Sequence, residues 1–403
     1  MMKFVEASVG VGRWYHSYRK SNAAVSMVSQ SVYDLPVPSN LTLKWNFGSL
    51  LGCCLVVQLV TGLLMATHYT PSVEDGFDSV VKIMTDVTGG WLLRAAHANG
   101  ATFFFFFIYC HVGRGLYYYS FALTKTWIVG VHMLLLLMAV AFTGYVLPWG
   151  QMSYWAATVI TNLVTAFPVI GHSLVELIWG GSSVCDATLK RFFVFHFIAP
   201  FGLLVLTAVH LIYLHEDGAS NPLGLEASGD NVPFHPYFTI KDLFGAVVFV
   251  GFLAIIVLWT PDVFLDPENF IPADPMKTPV HIQPEWYFLF AYTILRGVPN
   301  KLGGVILLVL SVVGLYFMPF LPRPSVKGVR FNSAGVVLFW VFVADFIALT
   351  CLGRCTVDWP YSALALLCTA YYFFYVFLSS SISVLWEDIS FGAAKRGAGV
   401  VVV

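Results

Sequence analysis

Two histidine pairs constrain this chain more than any other feature. His97 and His111 are 14 residues apart, and so are His196 and His210. Both pairs lie in long apolar runs, 91–119 and 191–214. Fourteen residues is four helical turns of about 3.5 residues each, so each pair projects from nearly one face. At ~1.5 Å rise per residue the two levels are ~21 Å apart. Two such helices side by side would present two bis-histidine levels, stacked along the helix axes. Ionisable residues inside membrane-embedded helices are functional candidates by default.

The setting is a membrane. The chain is 58% hydrophobic and only 11% charged, with a mean hydropathy of +0.77. Soluble domains carry about 25% charged residues. The net charge of -1 predicts no bulk affinity for nucleic acid. The seven cysteines are scattered, with no CxxCH to attach haem covalently and no CxxC pairs for zinc or iron–sulfur ligation. They read as small buried hydrophobes. The basic N-terminus (Lys3, Arg13, Arg19, Lys20) has no apolar core behind it and does not read as a secretory signal. Eight stretches approach the ~20 apolar residues a spanning helix needs: 46–67, 91–119, 127–147, 191–214, 243–260, 303–320, 333–352 and 361–384. The long loop 148–190 holds two candidate surface helices, near 153–164 and 171–179, and loop 261–302 holds another near 285–296.

Charge sets the orientation. The N-terminus, the even loops and the C-terminus hold 13 of the 21 Lys and Arg, and the odd loops hold 8 against 12 Asp and Glu. Both termini are therefore expected on the positive-inside face, the N side, with the two long loops on the opposite P side. The second and fourth stretches then run in the same direction. His97 pairs with His196 toward P, and His111 pairs with His210 toward N.

A metal site such as zinc would need its ligands clustered within a few ångströms, and the ~21 Å separation forbids one such site. Haem with two axial imidazoles takes one ligand per helix per level. Gly48 and Gly62 in the first stretch are also 14 apart, as are Gly130 and Gly144 in the third. Glycine lets a helix approach a flat plate such as haem closely. Arg94, Arg114 and Arg191 lie near the ligands and are placed to pair with haem carboxylates at the two faces. His132 reads as a satisfied polar residue, and Asp345, mid-helix with no obvious partner, as structural. The expected fold is an all-α integral membrane protein with eight transmembrane helices. Two haems would stack within a four-helix bundle of the first four. The expected divisions are 1–45, an N-terminal segment; 46–242, the di-haem bundle; 243–386, the C-terminal helices; and 387–403, a tail.

Ordered motifs along the chain carry a resemblance. WNFGSLLG stands at 45–52, HANGA at 97–101, HVGRGLYY at 111–118 and GYVLPWGQMS at 144–153. ATVITNL follows at 157–163, HPYFTIKD at 235–242, PEWYFLFAY at 284–292 and PNKLGG at 299–304. From about 34 to 386 the chain resembles the mitochondrial cytochrome b family, core subunits of quinol–cytochrome c reductase (respiratory complex III). The photosynthetic counterpart is split before the fifth helix and has one extra residue between its second pair of ligands. This chain is fused, and its intervals are equal.

The resemblance implies two non-covalent b-type haems, on His97/His196 and His111/His210, and two quinone sites serving a Q cycle coupled to proton translocation. Ubiquinol would be oxidised on the P side, with Glu285 as the proton-exchanging group and Tyr145, Pro284, Tyr287 and Phe288 around it. Ubiquinone would be reduced on the N side, with His215 and Asp242 facing it and Lys241 beside them. The implied partners are a Rieske iron–sulfur protein, cytochrome c1 and other complex III subunits, in a dimer of the whole complex. The implied location is the mitochondrial inner membrane, multi-pass, with both termini in the matrix. The chain departs from the family in places. A quinone-contacting serine of many relatives aligns with Ala219, beside Ser220. The P-side pattern WGAT reads Trp155-Ala156-Ala157-Thr158, so Ala156 is expected to crowd the pocket wall against methoxyacrylate-type inhibitors. The longer N-terminus and the valine-rich tail have no mechanistic reading. Two other classes stay open from residues alone: a different di-haem quinone-linked cytochrome, which would lack the PEWY loop, and a transporter, which would show no haem absorbance.

Overall fold

A computed structural model describes residues 21–225 and 229–397. The basic residues of the first twenty positions and the valine-rich tail lie outside the described residues. The chain is almost wholly helical. In order, α1 spans Ala23–Val32, α2 Phe47–Ala66, α3 Gly76–Thr85, α4 Gly90–Tyr117, α5 Thr124–Val146, α6 Gln151–Asn162 and α7 Gly171–Trp179. Then α8 spans Asp186–Asp217, α9 Tyr237–Trp259, α10 Leu289–Gly297, α11 Lys301–Val313, α12 Ser333–Leu352 and α13 Tyr361–Gly397. One short antiparallel pair interrupts them: β1 (Pro36–Pro38) meets β2 (Asn231–Pro233), with Val37 opposite Val232.

Among the described residues, seven helices are long and apolar enough to cross a membrane. The segment expected at 91–119 is not one of them by hydropathy, although α4 is 28 residues long, about 42 Å. His97, Asn99 and His111 dilute its apolar run. That polarity points inward: Asn99 is fully buried, and its amide donates to the carbonyls of Ala95 (2.9 Å) and Pro261 (2.8 Å). The segment expected at 303–320 is helical in two parts. α11 gives way to a 3-10 helix over Gly314–Phe320, which contains Pro319; proline lacks the N–H that an α-helix would use there. The N-termini of α11 and α12 are capped by Asn300 and Asn332, whose side chains accept from Gly303 N and Gly335 N. Asp345 is buried in α12.

α2 packs along α4, and α5 packs along α8, forming a bundle of two pairs. α9 lies against α4 and α2, while α10 is wedged among α11, α12 and α13. The expected surface helices near 153–164 and 171–179 appear as α6 and α7. The helix α3, between α2 and α4, is an addition that apolar counting missed. The long loops expected on one face are joined to each other. Gln151 N donates to Ile271 O (2.9 Å), Gln151 Nε2 to Lys277 O (2.9 Å) and Ser153 N to Asn269 Oδ1 (2.9 Å). At the other end, Val329 N donates to Tyr117 O (2.9 Å), and the Ser120 and Ser220 hydroxyls are 2.7 Å apart. Ser220 is therefore engaged with Ser120.

Candidate functional site: two histidine levels and a carboxyl beside one

The bundle brings the histidines together in the expected pairs. The rings of His97 and His196 are 6.2 Å apart, centre to centre, and those of His111 and His210 are 6.4 Å apart. An imidazole binds a metal at about 2 Å from nitrogen, and its ring radius is about 1.1 Å. Two imidazoles sharing one metal therefore have ring centres a little over 6 Å apart. Each ring also faces one glycine of the neighbouring helices. A β-carbon on Gly62 would stand 3.0 Å from His97 Cε1, and one on Gly130 3.3 Å from His210 Cε1. A β-carbon on Gly48 would be 3.8 Å from His111 Cε1, and one on Gly144 would overlap the His196 ring. All four glycines singled out in the sequence thus sit over the four histidines, one each.

Second partners fix the ring tautomers of His97 and His196. The Thr61 hydroxyl gives its proton to Val57 O (2.6 Å) and lies 2.9 Å from His97 Nδ1. Its oxygen must therefore accept from Nδ1–H, which leaves Nε2 with a free lone pair. His196 Nδ1 lies 2.8 Å from Val140 O, which can only accept, so Nε2 is free there too. The other level differs. Arg114 Nη2 is 3.3 Å from His111 Nδ1, and its guanidinium also lies over Trp45. Neither Thr61 nor the glycine-to-ring matching could be read from spacing alone.

A cavity of about 280 Å³ runs along the His97–His196 pair. His97, His196, Gly62, Gly144 and Arg94 line it, and so do Tyr145, Glu285 and Tyr287. Tyr287 is buried and stacks on Phe105 at 4.1 Å, with the rings 4° from parallel; Phe288 meets Phe105 edge-on. The Tyr109 hydroxyl donates to the Tyr287 carbonyl. These contacts hold the turn that presents Glu285. Burial pushes the Glu285 carboxyl up to about 7; a hydrogen bond from Tyr145 and the charges of Arg354 and Arg94 pull it down, while Asp266 pushes it up. Glu285 also borders a second, polar pocket of about 300 Å³, with Pro284, Asp266, His281 and Arg354.

Other expected residues fall elsewhere. Arg191 does not reach the His196 level: its guanidinium donates to the carbonyls of Leu177 and Ile178, closing the end of α7. Unpaired carbonyls at a helix C-terminus attract such a cation. Ala156 is buried in α6 and is not among the residues lining the two cavities beside Glu285. At the His111–His210 end, Asp242 accepts from the Ser49 hydroxyl (2.7 Å), and Lys241 Nζ donates to Leu41 O. His215 is exposed in the last turn of α8. Ser49, inside the quoted WNFGSLLG motif, is the missed member of this group.

Together, the helices and paired histidines define a multi-pass membrane protein with two half-buried histidine pairs in a helical bundle. The chain matches the family cytochrome b/b6/petB over residues 32–218 and the family cytochrome b (C-terminal)/b6/petD over residues 272–373. It is similar to a chain of a solved hyperthermophilic respiratory complex III, with 33% identity and a TM-score of 0.84. That match covers 91% of this chain and 99% of the other. The chain belongs to the cytochrome b family.

Proposed function

We propose that this chain is the membrane electron-transfer subunit of a ubiquinol–cytochrome c reductase. It would work in the mitochondrial inner membrane with eight spanning helices, α4 being the eighth, and with both termini in the matrix. His97 and His196 hold one b-type haem toward the P side, and His111 and His210 hold a second toward the N side. When bound, these haems supply one-electron redox chemistry at two depths of the bilayer. The observation that carries the reading is the pairing of each ring with its own glycine. Helix backbones approach the rings at both levels, which leaves flat clearance where side chains would otherwise stand.

The protein's own groups then divide the work. Thr61 and the Val140 carbonyl hold the P-side rings with Nε2 facing inward. Arg94, on the same cavity wall, offers a cation to a carboxylate. Glu285 accepts a quinol proton on the P side, and its raised pKa keeps uptake and release near balance at neutral pH. On the N side, Asp242, oriented by Ser49, donates protons to quinone together with His215. The Rieske protein, cytochrome c1 and a second copy of the assembly complete the complex. The test is haem content and the dithionite-reduced spectrum of the purified complex. Two b-type haems per chain, one of them reduced by quinol when the N side is blocked, are expected. A chain with no haem absorbance, or with one haem, would overturn the reading.

A further inference from the structure

α4 carries His97 and His111 on one side and grips the loop 261–302 on the other. At ~100° per residue, Asn99, Thr102 and Tyr109 fall in one stripe, roughly opposite the two histidines. Asn99 holds the loop where it leaves α9: its amide donates to Pro261 O at 2.8 Å. Thr102 and Tyr109 hold a later part. There Trp286 Nε1 donates to Thr102 Oγ1 (3.4 Å), and the Tyr109 hydroxyl donates to the Tyr287 carbonyl. Phe105, in the same stripe, stacks on Tyr287. The chain between these grips supplies Phe264, Leu265, Asp266 and Phe270 to the cavity that His97 and Glu285 also line.

Asn99 is fully buried, two residues from His97. Both of its polar neighbours are carbonyl oxygens, Ala95 O at 2.9 Å and Pro261 O at 2.8 Å. Carbonyls only accept, so the NH₂ group must face them, and both of its N–H bonds are committed. The bond to Ala95 lies within α4 and serves the helix alone. A serine hydroxyl would make it too, since it reaches the carbonyl four residues back. The bond to Pro261 crosses to the loop, and it is this second bond that requires a two-donor side chain of asparagine length.

We propose that Asn99 is a positioning residue for the quinol site beside His97. It latches the start of the loop onto the helix that carries His97, and so fixes the cavity wall formed by Phe264, Leu265, Asp266 and Phe270. That wall sets how tightly quinol is held. This rests on the P-side quinol site proposed above. Asn99 acts through Pro261 and the wall that follows, not by touching substrate. Glu285 is held separately, through Trp286 and Tyr287. Loosening the loop at Pro261 therefore weakens quinol binding more than it slows proton uptake.

The test is steady-state quinol–cytochrome c reductase kinetics in assembled complex, with both haems followed by redox titration. Asn99→Ser keeps a donor for Ala95 O and is too short to reach Pro261. KM for quinol should rise about 3- to 10-fold, the weight of one lost hydrogen bond, with kcat within about two-fold of the parent. Both haems should keep their reduced spectra and midpoint potentials. Asn99→Asp, the same shape with acceptors in place of donors, should raise KM at least as far; the serine variant decides the case whether or not the aspartate variant assembles. Tyr109→Phe, which frees the Glu285 turn, should instead lower kcat. A parental KM for Asn99→Ser, or a fall in kcat at unchanged KM, would overturn the proposal. So would a shifted P-side midpoint potential, which would mean that Asn99 acts through His97. If Glu285→Gln slows turnover while Asn99→Ser keeps the parental KM, only the role of Asn99 fails. If Glu285→Gln leaves turnover unchanged, the P-side site falls and this inference falls with it.

Discussion

Gly144 faces His196 so closely that a β-carbon at 144 would overlap the van der Waals surface of the imidazole. The other three glycines form a graded series: Gly62 to His97 at 3.0 Å, Gly130 to His210 at 3.3 Å and Gly48 to His111 at 3.8 Å. Overpacking a close-fitting site costs about 1–3 kcal/mol. Alanine at 48 should therefore be nearly silent. Alanine at 130, 62 and 144 should weaken haem retention in that order, at the level of the crowded ring alone. Reduced-minus-oxidised absorbance of each haem per folded chain measures this. An equal response at all four positions would sink the steric account.

Replacing His111 or His210 by leucine should remove the N-side haem selectively. Quinol would still reduce the P-side haem, but quinone reduction at the N side would stop. The two rings lie 6.4 Å apart, at a level separate from His97 and His196. Loss of both haem signals in a folded protein, or of neither, would contradict the pairing.

Glu285 accepts a proton only as the carboxylate. With its pKa pushed up to about 7, the competent fraction falls as pH drops through neutrality, and quinol oxidation should show an acid limb there. Glu285→Gln keeps the size and hydrogen bonding but cannot ionise. Turnover should fall about 10²- to 10⁴-fold, the usual worth of a positioned acid–base group, and lose that limb. Reverse reduction of the N-side haem through the N-side site should survive. Unchanged turnover from pH 5 to 9 would take Glu285 out of the proton path.

How much of this was legible follows from the range of each interaction. The histidine pairing rests on helical period and chain direction, which a linear sequence carries directly. The glycine spacing carried the same period, and the structure places all four over the rings. Arg191 was misplaced because its partners, the carbonyls of Leu177 and Ile178, come from the end of a separate short helix. α3 escaped because it is amphipathic and short, with Ser79 and Ile83 buried and its charges outside. The polar pocket escaped because it draws on three distant segments: the loop before Pro284, the turn after α12 and the end of α5.

Thr61 offers the sharpest test of how the P-side level is tuned. Its hydroxyl proton is committed to Val57 O at 2.6 Å, so toward His97 it serves only as an acceptor. Accepting from Nδ1–H fixes the tautomer and makes Nε2 a better electron donor to a metal. Greater donation favours the oxidised iron, so this bond should hold the haem potential down. Thr61→Val keeps the branched shape and removes the acceptor. The midpoint potential of the P-side haem should rise while that of the N-side haem stays fixed, and affinity for the P-side haem should fall by about 10- to 100-fold, the usual cost of losing such a partner. Thr61→Ser should restore both values. A redox titration resolving the two haems reads the result directly. A falling P-side potential, or equal shifts at both levels, would show that Thr61 does not act through His97.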